Sequence, residues 1–200
     1  MTKNEILFGL AESYALKFLR YGRVGWDEPH TRSVVYHAED VGRFEGLDTT
    51  VQKLVGWLHD LGYFNLFQGD SDKFEVVKDR KELHMIKGAE FAAAFLGQPE
   101  ISGLVTPQQA DRVVHIVRVH DKIEELREMD EIAFMEADTL GAIDISRVTP
   151  TFDYASGMKY LFAELRERRE LAFRTARGKE LLASLLPAFI GYFEALKANS

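Results

Sequence analysis

An apolar helix that ends in a histidine and an aspartate is the feature that most constrains this chain. Residues 54–62 read Leu-Val-Gly-Trp-Leu-His-Asp-Leu-Gly, and the final glycine is typical of a helix end. An imidazole and a carboxylate in an apolar interior each need a partner, because an unpaired buried polar group is strongly destabilising. The rest of the fold must therefore bring partners to His59 and Asp60.

Length and composition predict one domain, spanning residues 1–200. Of its residues, 46% are hydrophobic, which is ordinary for a globular core. No uninterrupted apolar run reaches the roughly 18 residues that a membrane span needs, and residues 1–5 lack the layout of a signal peptide. The absence of cysteine excludes disulfides and thiolate chemistry. We therefore expect a cytoplasmic protein that does not enter a membrane.

The charge balance bears on the choice of partner. The formal net charge is −7 at pH 7. An acidic surface does not attract nucleic acid or anionic membrane, so we expect neither as a partner. A small phosphorylated molecule is still compatible, because it needs only a local basic site.

Apolar residues recur with the helical period along the chain, which predicts an all-α fold. The first predicted helix spans residues 4–20. Asp27 or Glu28 can cap the second, which reaches about Arg43, and Asp48 can cap the third. The helix that ends in the histidine and aspartate is this third helix.

The second half of the chain is predicted to cover the first. Residues 63–80 are polar and rich in Asp, Gly and Lys, which predicts an irregular loop. The helical core is expected at about 25–145 and a C-terminal helical cover at about 150–197. Two amphipathic helices, at about 152–173 and 178–197, form that cover, and their faces could also form a homodimer interface.

Helical periodicity separates the six histidines into inward and outward positions. His120 lies on the apolar face of its helix, three and four residues after Val117 and Ile116. His84 shares a face with two phenylalanines, whereas His115 lies on a polar face. Four histidines and two aspartates fall at inward or helix-end positions on five helices: His30, His59, Asp60, His84, His120 and Asp138.

Six inward polar residues on separate helices are most simply explained by a shared cation. A lone inward histidine is more often an ordinary core residue, so this prediction depends on the whole set. Nitrogen and carboxylate ligands without thiolate suit divalent Mn, Fe, Ni, Co or Zn. Six ligands exceed the needs of one tetrahedral ion and favour two, with Asp60 as the expected bridge. We therefore expect one or two metal ions, with His59 and Asp60 as the catalytic residues.

Three segments resemble motifs of the HD-domain superfamily of metal-dependent phosphohydrolases. Residues 29–34, 58–62 and 136–140 read Pro-His-Thr-Arg-Ser-Val, Leu-His-Asp-Leu-Gly and Glu-Ala-Asp-Thr-Leu. The chain is similar to the small stand-alone bacterial members over about residues 25–195. The resemblance implies an all-α HD-domain helical bundle with additional N- and C-terminal helices.

The same resemblance implies a metal-binding role for specific residues. It implies a divalent metal held by four of them: His30, His59, Asp60 and Asp138. His84 and His120 match the two further ligands of the dinuclear subgroups. The implied activity is hydrolysis of a phosphoester or phosphoanhydride of a small molecule by metal-activated water, with a nucleotide as the expected class. The chain departs from the pattern at Glu136, where aspartate is commoner, and the substrate stays open.

Three cations near the predicted ligands are candidate substrate-binding residues: Lys87, Arg118 and Lys122. A solvated surface charge is the alternative for each. The predicted loop, with the basic residues Lys73, Lys78, Arg80 and Lys81 towards its end, could close over a phosphate or could equally be disordered. Asp121 is expected to be a solvated helix-end residue, and His37 a core or surface histidine.

Two other functions fit a similar set of ligands. Some dinuclear HD proteins use an iron pair to oxygenate a phosphonate or a polyol, but their lysine-rich motif is not obvious at residues 121–123. A non-catalytic nucleotide-binding HD module is the third reading. No ligand is missing and no second domain is attached to receive a signal, so a phosphohydrolase is the favoured function.

Overall fold

The computed structural model describes residues 2–67 and 69–198, and all regular structure within them is helical. The all-α prediction is therefore confirmed. Two 3-10 helices, Leu61–Tyr63 and Ile123–Glu125, and a π-helix, Tyr160–Arg169, join the α-helices. The α-helices are α1 (Lys3–Leu19), α2 (Asp27–Phe44), α3 (Thr49–Leu58), α4 (Phe74–Asp79), α5 (Lys81–Leu96), α6 (Pro99–Ser102), α7 (Pro107–Val119), α8 (Met129–Ile143), α9 (Tyr154–Lys159), α10 (Glu170–Ala172) and α11 (Ala176–Ala198).

The two predicted helix caps have different outcomes. Asp48 caps α3, because its side chain accepts hydrogen bonds from the backbone N–H groups of Thr50 and Val51. The cap predicted for α2 is wrong. Asp27 is the first helical residue, and its carboxylate accepts from the backbone N–H and the Nε of Arg23. Ion pairing with a preceding arginine thus replaces capping at this helix end.

Two boundaries in the second half also differ from the prediction. Part of the predicted loop forms α4, which buries Phe74 and Val77. One and a half turns are too short for an apolar period to stand out in a polar stretch. The break in the C-terminal cover lies at residues 173–175, and Gly178 is inside α11.

Helix α8 lies at the centre of the fold. Every residue from Glu131 to Ile143 is buried, and the helix contacts α2, α3, α7 and α11. A helix buried on all sides must find partners for its polar side chains inside the protein. Glu136 and Asp138 are such side chains. Glu136 contacts the C-terminal cover, and Asp138 lies beside the predicted metal ligands.

Two apolar clusters meet at α2 and α8. The first joins α1 to α2, α3, α5, α7 and α8 and includes Leu7, Leu54 and Phe134. The second joins α2 and α8 to the C-terminal cover, α9 to α11, through Leu165 and Phe193 among others. Burial of these side chains supplies the main driving force that holds the cover on the core.

Glu136 ties the C-terminal cover to α8. Its carboxylate accepts hydrogen bonds from the backbone N–H groups of Arg174 and Thr175 and from the Thr175 hydroxyl. A Cβ at Gly178 would lie 2.1 Å from the same carboxylate, so glycine is required for this close approach. Burial raises the pKa of Glu136 although these donors oppose the shift. Glu136 stands where aspartate is commoner in the family pattern, and its longer side chain therefore anchors the start of α11.

Replacing Glu136 with alanine is expected to lower the free energy of unfolding by about 2–4 kcal/mol. The reason is that three donors of residues 174 and 175, two of them buried, lose their acceptor. Urea denaturation followed by circular dichroism measures the change. Glu167→Ala, an exposed glutamate of the same cover, serves as the control and should change it by less than about 0.5 kcal/mol. Equal stability of the two variants would contradict the anchoring role.

Helix α11 is long and apolar enough, by length and composition alone, to cross a membrane. Its 23 residues include polar ones, which is why no uninterrupted apolar run revealed it. The helix places Leu182, Leu186, Phe189 and Phe193 against the second apolar cluster. One helix that passes this test is weak evidence for a span, because core helices of soluble proteins pass it too.

Candidate metal centre

Two of the predicted ligands end their helices in the same way. His59 follows α3 and His120 follows α7, and each is the C-cap residue. Each Nδ1 lies 2.8 Å from a carbonyl oxygen three residues earlier, that of Gly56 or Val117. Since a carbonyl can only accept, each Nδ1 carries the proton and each neutral ring presents a bare Nε2. The local helix geometry thus prepares two nitrogen ligands.

Close backbone contact brings His84 to the same place. A Cβ at Gly62 would lie 1.8 Å from the carbonyl oxygen of His84, and one at Gly88 would lie 2.9 Å from that of His59. Only glycine allows the 3-10 turn after Asp60 to touch α5 at this distance. The glycine that ends the opening motif therefore positions a ligand on another helix.

All six residues predicted as metal ligands converge in the structure. They form two groups, and within each group the potential ligand atoms lie within 4.8 Å of one another. The first donor group is His30, His59 and Asp138, and the second donor group is Asp60, His84 and His120. All six residues are buried. Each group could hold a metal ion with three protein ligands, an arrangement typical of open, reactive sites.

Asp60 lies between the two donor groups. Its Oδ2 is 3.7 Å from His30 Nε2 and 3.4 Å from His59 Nε2. Its Oδ1 is 3.6 Å from His84 Nε2 in the second group. A carboxylate with one oxygen toward each group is the arrangement that a bridging ligand needs.

The donors lack the partners that an ordinary polar core would give them. His59 Nε2 is buried and makes no hydrogen bond, although carboxylate oxygens of Asp60 and Asp138 lie 3.4 and 3.6 Å away. Burial opposes protonation, but Asp60 and Asp138 together raise the pKa of His59 to about 10. The site therefore demands a positive charge at this nitrogen, and a divalent cation would supply it.

The second donor group also lacks ordinary polar partners. The Nε2 atoms of His84 and His120 lie 3.2 Å apart, and His84 Nδ1 is buried without a hydrogen bond. Burial and the adjacent His120 lower the pKa of His84 to about 3, and burial lowers the pKa of His120. Both rings are thus neutral at physiological pH, which is the form that binds metal.

Two arginines hold the ligand carboxylates from outside. Arg23 Nη2 donates to Asp60 Oδ2 at 2.8 Å, and its Nε donates to Asp27. Arg169 Nη1 donates to Asp138 Oδ2 at 2.8 Å and to the Thr139 hydroxyl at 3.0 Å. Charged hydrogen bonds to ligand carboxylates fix their orientation and tune the metal they bind.

The π-helix explains how Arg169 reaches the centre. Arg169 Nε also donates to Glu164 Oε1, five residues earlier, at 3.3 Å. In an α-helix residues five apart point about 140° away from each other. In a π-helix they lie about one turn apart, because its hydrogen bonds join residues i and i+5. The unusual register therefore puts Glu164 and Arg169 on one face.

Buried charges around the centre do not balance without a cation. The buried carboxylates are Asp27, Asp60, Asp121, Asp138 and Glu164, and their side chains are at most 11% exposed. The cations beside them are Arg23, Lys81 and Arg169, at most 18% exposed. Five negative charges against three positive ones leave two in excess, and a proton on His59 would offset only one of them. Uncompensated charge is strongly disfavoured in a buried site, so the donor set and its surroundings fit one or two divalent ions.

A cavity of about 60 Å³ lies beside the donors. Its polar wall includes all three of those cations together with Asp60, Asp121 and Asp138. The rest of its wall is mainly aromatic and includes Trp26, Phe74, Phe152, Tyr160, Phe189 and Phe193. The candidate donors therefore face a small space lined by both charged and aromatic side chains.

The three predicted phosphate contacts lie elsewhere. Lys87 and Lys122 are half-buried, Arg118 is exposed, and none of them lines the cavity in the described part of the chain. Lys122 instead lies 3.7 Å from Glu125. Helical proximity to a ligand did not decide the direction of these side chains. Of the basic residues at the end of the predicted loop, Lys81 does line the cavity.

His37 is separate from the donor groups. It is buried, and its Nε2 lies 3.0 Å from Asp144 Oδ2. The structure thus places it in the core, one of the two positions expected for it. His115 is half exposed and bonds to Glu131, as its place on a polar face indicated.

Asp121 corrects one expectation. It was predicted to be solvated, but its side chain is only 6% exposed and pairs with Arg169 and with Lys81. Burial would raise its pKa, but Lys81 and Arg169 hold the pKa of Asp121 well below its ordinary value. Its partners come from α5 and from the π-helix, far apart in sequence. Only the adjacent His120 signalled its position.

Comparisons with known proteins support the fold. No family model matches the sequence, and no curated protein matches it. Among solved structures, the chain is similar to the crystal structure of a predicted HD superfamily hydrolase from an uncultured Thermotogales bacterium. The two are 16% identical with a TM-score of 0.59, and the match covers 98% of this chain and 91% of the other. The chain therefore has an all-α HD-domain fold.

Proposed function

We propose that this protein is a metal-dependent phosphohydrolase of the HD-domain superfamily that acts on a small phosphorylated molecule. The observation that carries the proposal is the convergence of six buried donors, in two groups, beside a cavity with three cations. The similar structure is described as a predicted HD superfamily hydrolase, which supports the same reaction class. A nucleotide is the substrate class that the resemblance implies.

In this proposal His30, His59 and Asp138 would hold one ion, and Asp60, His84 and His120 would hold a second. Such ions would supply Lewis-acid polarisation of the phosphoryl oxygens and a water of lowered pKa. Among the chain's own groups, Arg23 and Arg169 keep the ligand carboxylates in place. Lys81 lines the cavity and can donate to a phosphoryl oxygen.

The cations are preorganised by carboxylates. Lys81 Nζ lies 2.9 Å from Glu164 and 3.4 Å from Asp121. A side chain held in this way does not need to reorient when negative charge develops on the phosphoryl group. The aromatic side chains of the cavity wall exclude water, which strengthens these electrostatic interactions.

Elemental analysis of the purified protein, followed by a phosphate-release screen, tests the proposal. We expect up to two divalent ions per chain and phosphate release that a chelator abolishes and added metal restores. A metal-loaded protein that consumes oxygen, with an iron pair and no phosphate release, would favour the oxygenase alternative. Metal-loaded protein that binds nucleotides without turnover would favour the non-catalytic module.

A further inference from the structure

The aromatic part of the cavity wall is a continuous surface. Phe74, Phe152 and Tyr160 contact one another with ring centroids 6.0–6.2 Å apart, and Phe189 lies 6.1 Å from Tyr160. These rings come from α4, from the segment before α9, from the π-helix and from α11. Four separate segments of the chain thus contribute to one apolar wall.

Aromatic surface begins directly beside the metal donors. The Trp26 ring stacks on His30, with centroids 5.1 Å apart and an interplanar angle of 19°. A substituent on a phosphoryl group at the donors would therefore extend from them along ring faces. Such faces favour apolar or flat groups, which stack or pack against them.

The cations of the cavity are all held by buried carboxylates at or beside the donors. Among the described residues, Arg23, Lys81 and Arg169 are the only arginine or lysine side chains that line the cavity. A second or third phosphate would lie against the aromatic rings without a counter-ion, which is unfavourable. With two divalent ions, the buried charges described above change from two negative to two positive in excess. One phosphate monoester dianion neutralises that excess, whereas a triphosphate exceeds it.

The volume of the cavity also favours a substrate with a single phosphate. A volume of about 60 Å³ holds a few water molecules, because one water needs about 10–15 Å³ on the same measure. That enclosed space suits one phosphoryl group with the adjoining part of its substituent, and the cavity is open to solvent beyond it.

We infer that the substrate is a phosphate monoester whose organic part is one compact apolar or flat group packed against the aromatic wall. This inference rests on the proposed phosphohydrolase function and narrows its substrate class. The aromatic wall selects the substituent, and the charged side chains select a single phosphate.

Binding of two phosphonates to the metal-loaded protein tests the aromatic wall without turnover. Calorimetry should give a Kd for phenylphosphonate at least about tenfold below that for methylphosphonate. In phosphate-release assays, kcat/KM for phenyl phosphate should exceed that for glycerol 2-phosphate and for ATP by a similar factor.

Matched variants place the effect at the wall. Phe152→Ala should weaken phenylphosphonate binding about tenfold and leave methylphosphonate binding unchanged, which also shows that the variant is folded. Phe162 lies in the π-helix but outside the cavity lining and is 56% exposed, so Phe162→Ala should change neither affinity.

Equal affinity for the two phosphonates would overturn the inference. So would a kcat/KM for ATP or glycerol 2-phosphate equal to or above that for phenyl phosphate. In both cases hydrolysis of any of these esters leaves the proposed function standing. If the metal-loaded protein bound neither phosphonate and released no phosphate from any ester, the proposed function would fail together with the inference.

Discussion

Replacing Asp60 with asparagine is expected to remove most of the bound metal and to abolish measurable phosphate release. Asp60 is the residue whose oxygens face both donor groups, so both ions lose a ligand. The substitution keeps the shape of the side chain but removes the negative charge that divalent ions require. We expect metal affinity to fall by at least about 100-fold, since even residues that only support ligands cost about 10–100-fold. Elemental analysis after dialysis measures the loss.

His84→Ala distinguishes a two-ion centre from a one-ion centre. The substitution removes a ligand from the second donor group and leaves the first donor group complete. We therefore expect the metal content to fall from two ions to one. His115→Ala is the matched control, because this histidine is 49% exposed and outside both groups. Full metal content in both His59→Ala and Asp60→Asn would refute the central assignment.

Arg169→Met is expected to lower kcat/KM for phosphate release by about 10²–10³-fold and metal affinity by about 10–100-fold. Methionine fills similar volume but cannot hold the Asp138 carboxylate or offer charge to the cavity. The change also leaves buried carboxylates of Asp121 and Glu164 with one partner fewer, so thermal unfolding should occur at a lower temperature. Metal titration at a temperature well below that transition separates the two effects.

Two further variants test whether the position of the charge matters. Arg169→Lys keeps the charge but loses the planar fork, so it should restore part of the metal affinity and little of the kcat. Arg166→Met removes a neighbouring arginine that is 43% exposed and pairs only on the surface with Glu170. It should leave both quantities within about twofold. Equal effects of Arg166→Met and Arg169→Met would remove Arg169 from the centre.

The donor groups could be predicted because each donor disturbs a helical pattern. His120 and Asp138 are polar residues on apolar faces, and His59 with Asp60 ends an apolar helix. Period and face are local properties, so the sequence carries them directly. The pairing of donors into two groups depends on how α2, α5, α7 and α8 meet, which no local pattern states.

The surroundings of the donors could not be predicted for the same reason. Arg23 lies in a glycine-containing turn, and Arg169 belongs to a run of charges that an α-helical period places on no particular face. Their roles follow from contacts with Asp60 and Asp138, which are distant in sequence. Proximity along a helix favoured Arg118 and Lys87 instead, and that local criterion was insufficient.

For the fold, too, local features could be predicted from the sequence and tertiary features could not. The all-α class and most helix bounds are local, and so is the cap at Asp48. Helix α4 was missed because six residues are too few for an apolar period to stand out in a polar stretch, and the start of α11 was placed two residues late because Gly178 was interpreted as a helix break. Tertiary contacts of Phe74 and Leu182 stabilise α4 and α11, and such contacts are invisible in a sequence window.

The π-helix makes the function of Arg169 depend on helical register as well as on residue type. Over the same number of residues, an ordinary α-helix would turn the guanidinium away from Glu164, whereas an α-helix with one residue fewer between them would keep the two on one face. An alignment by residue type alone does not distinguish Arg169 from Arg166 or Arg168. For relatives of this chain, the spacing of this glutamate and this arginine, taken together with the helix type, is therefore more informative about the centre than the presence of an arginine.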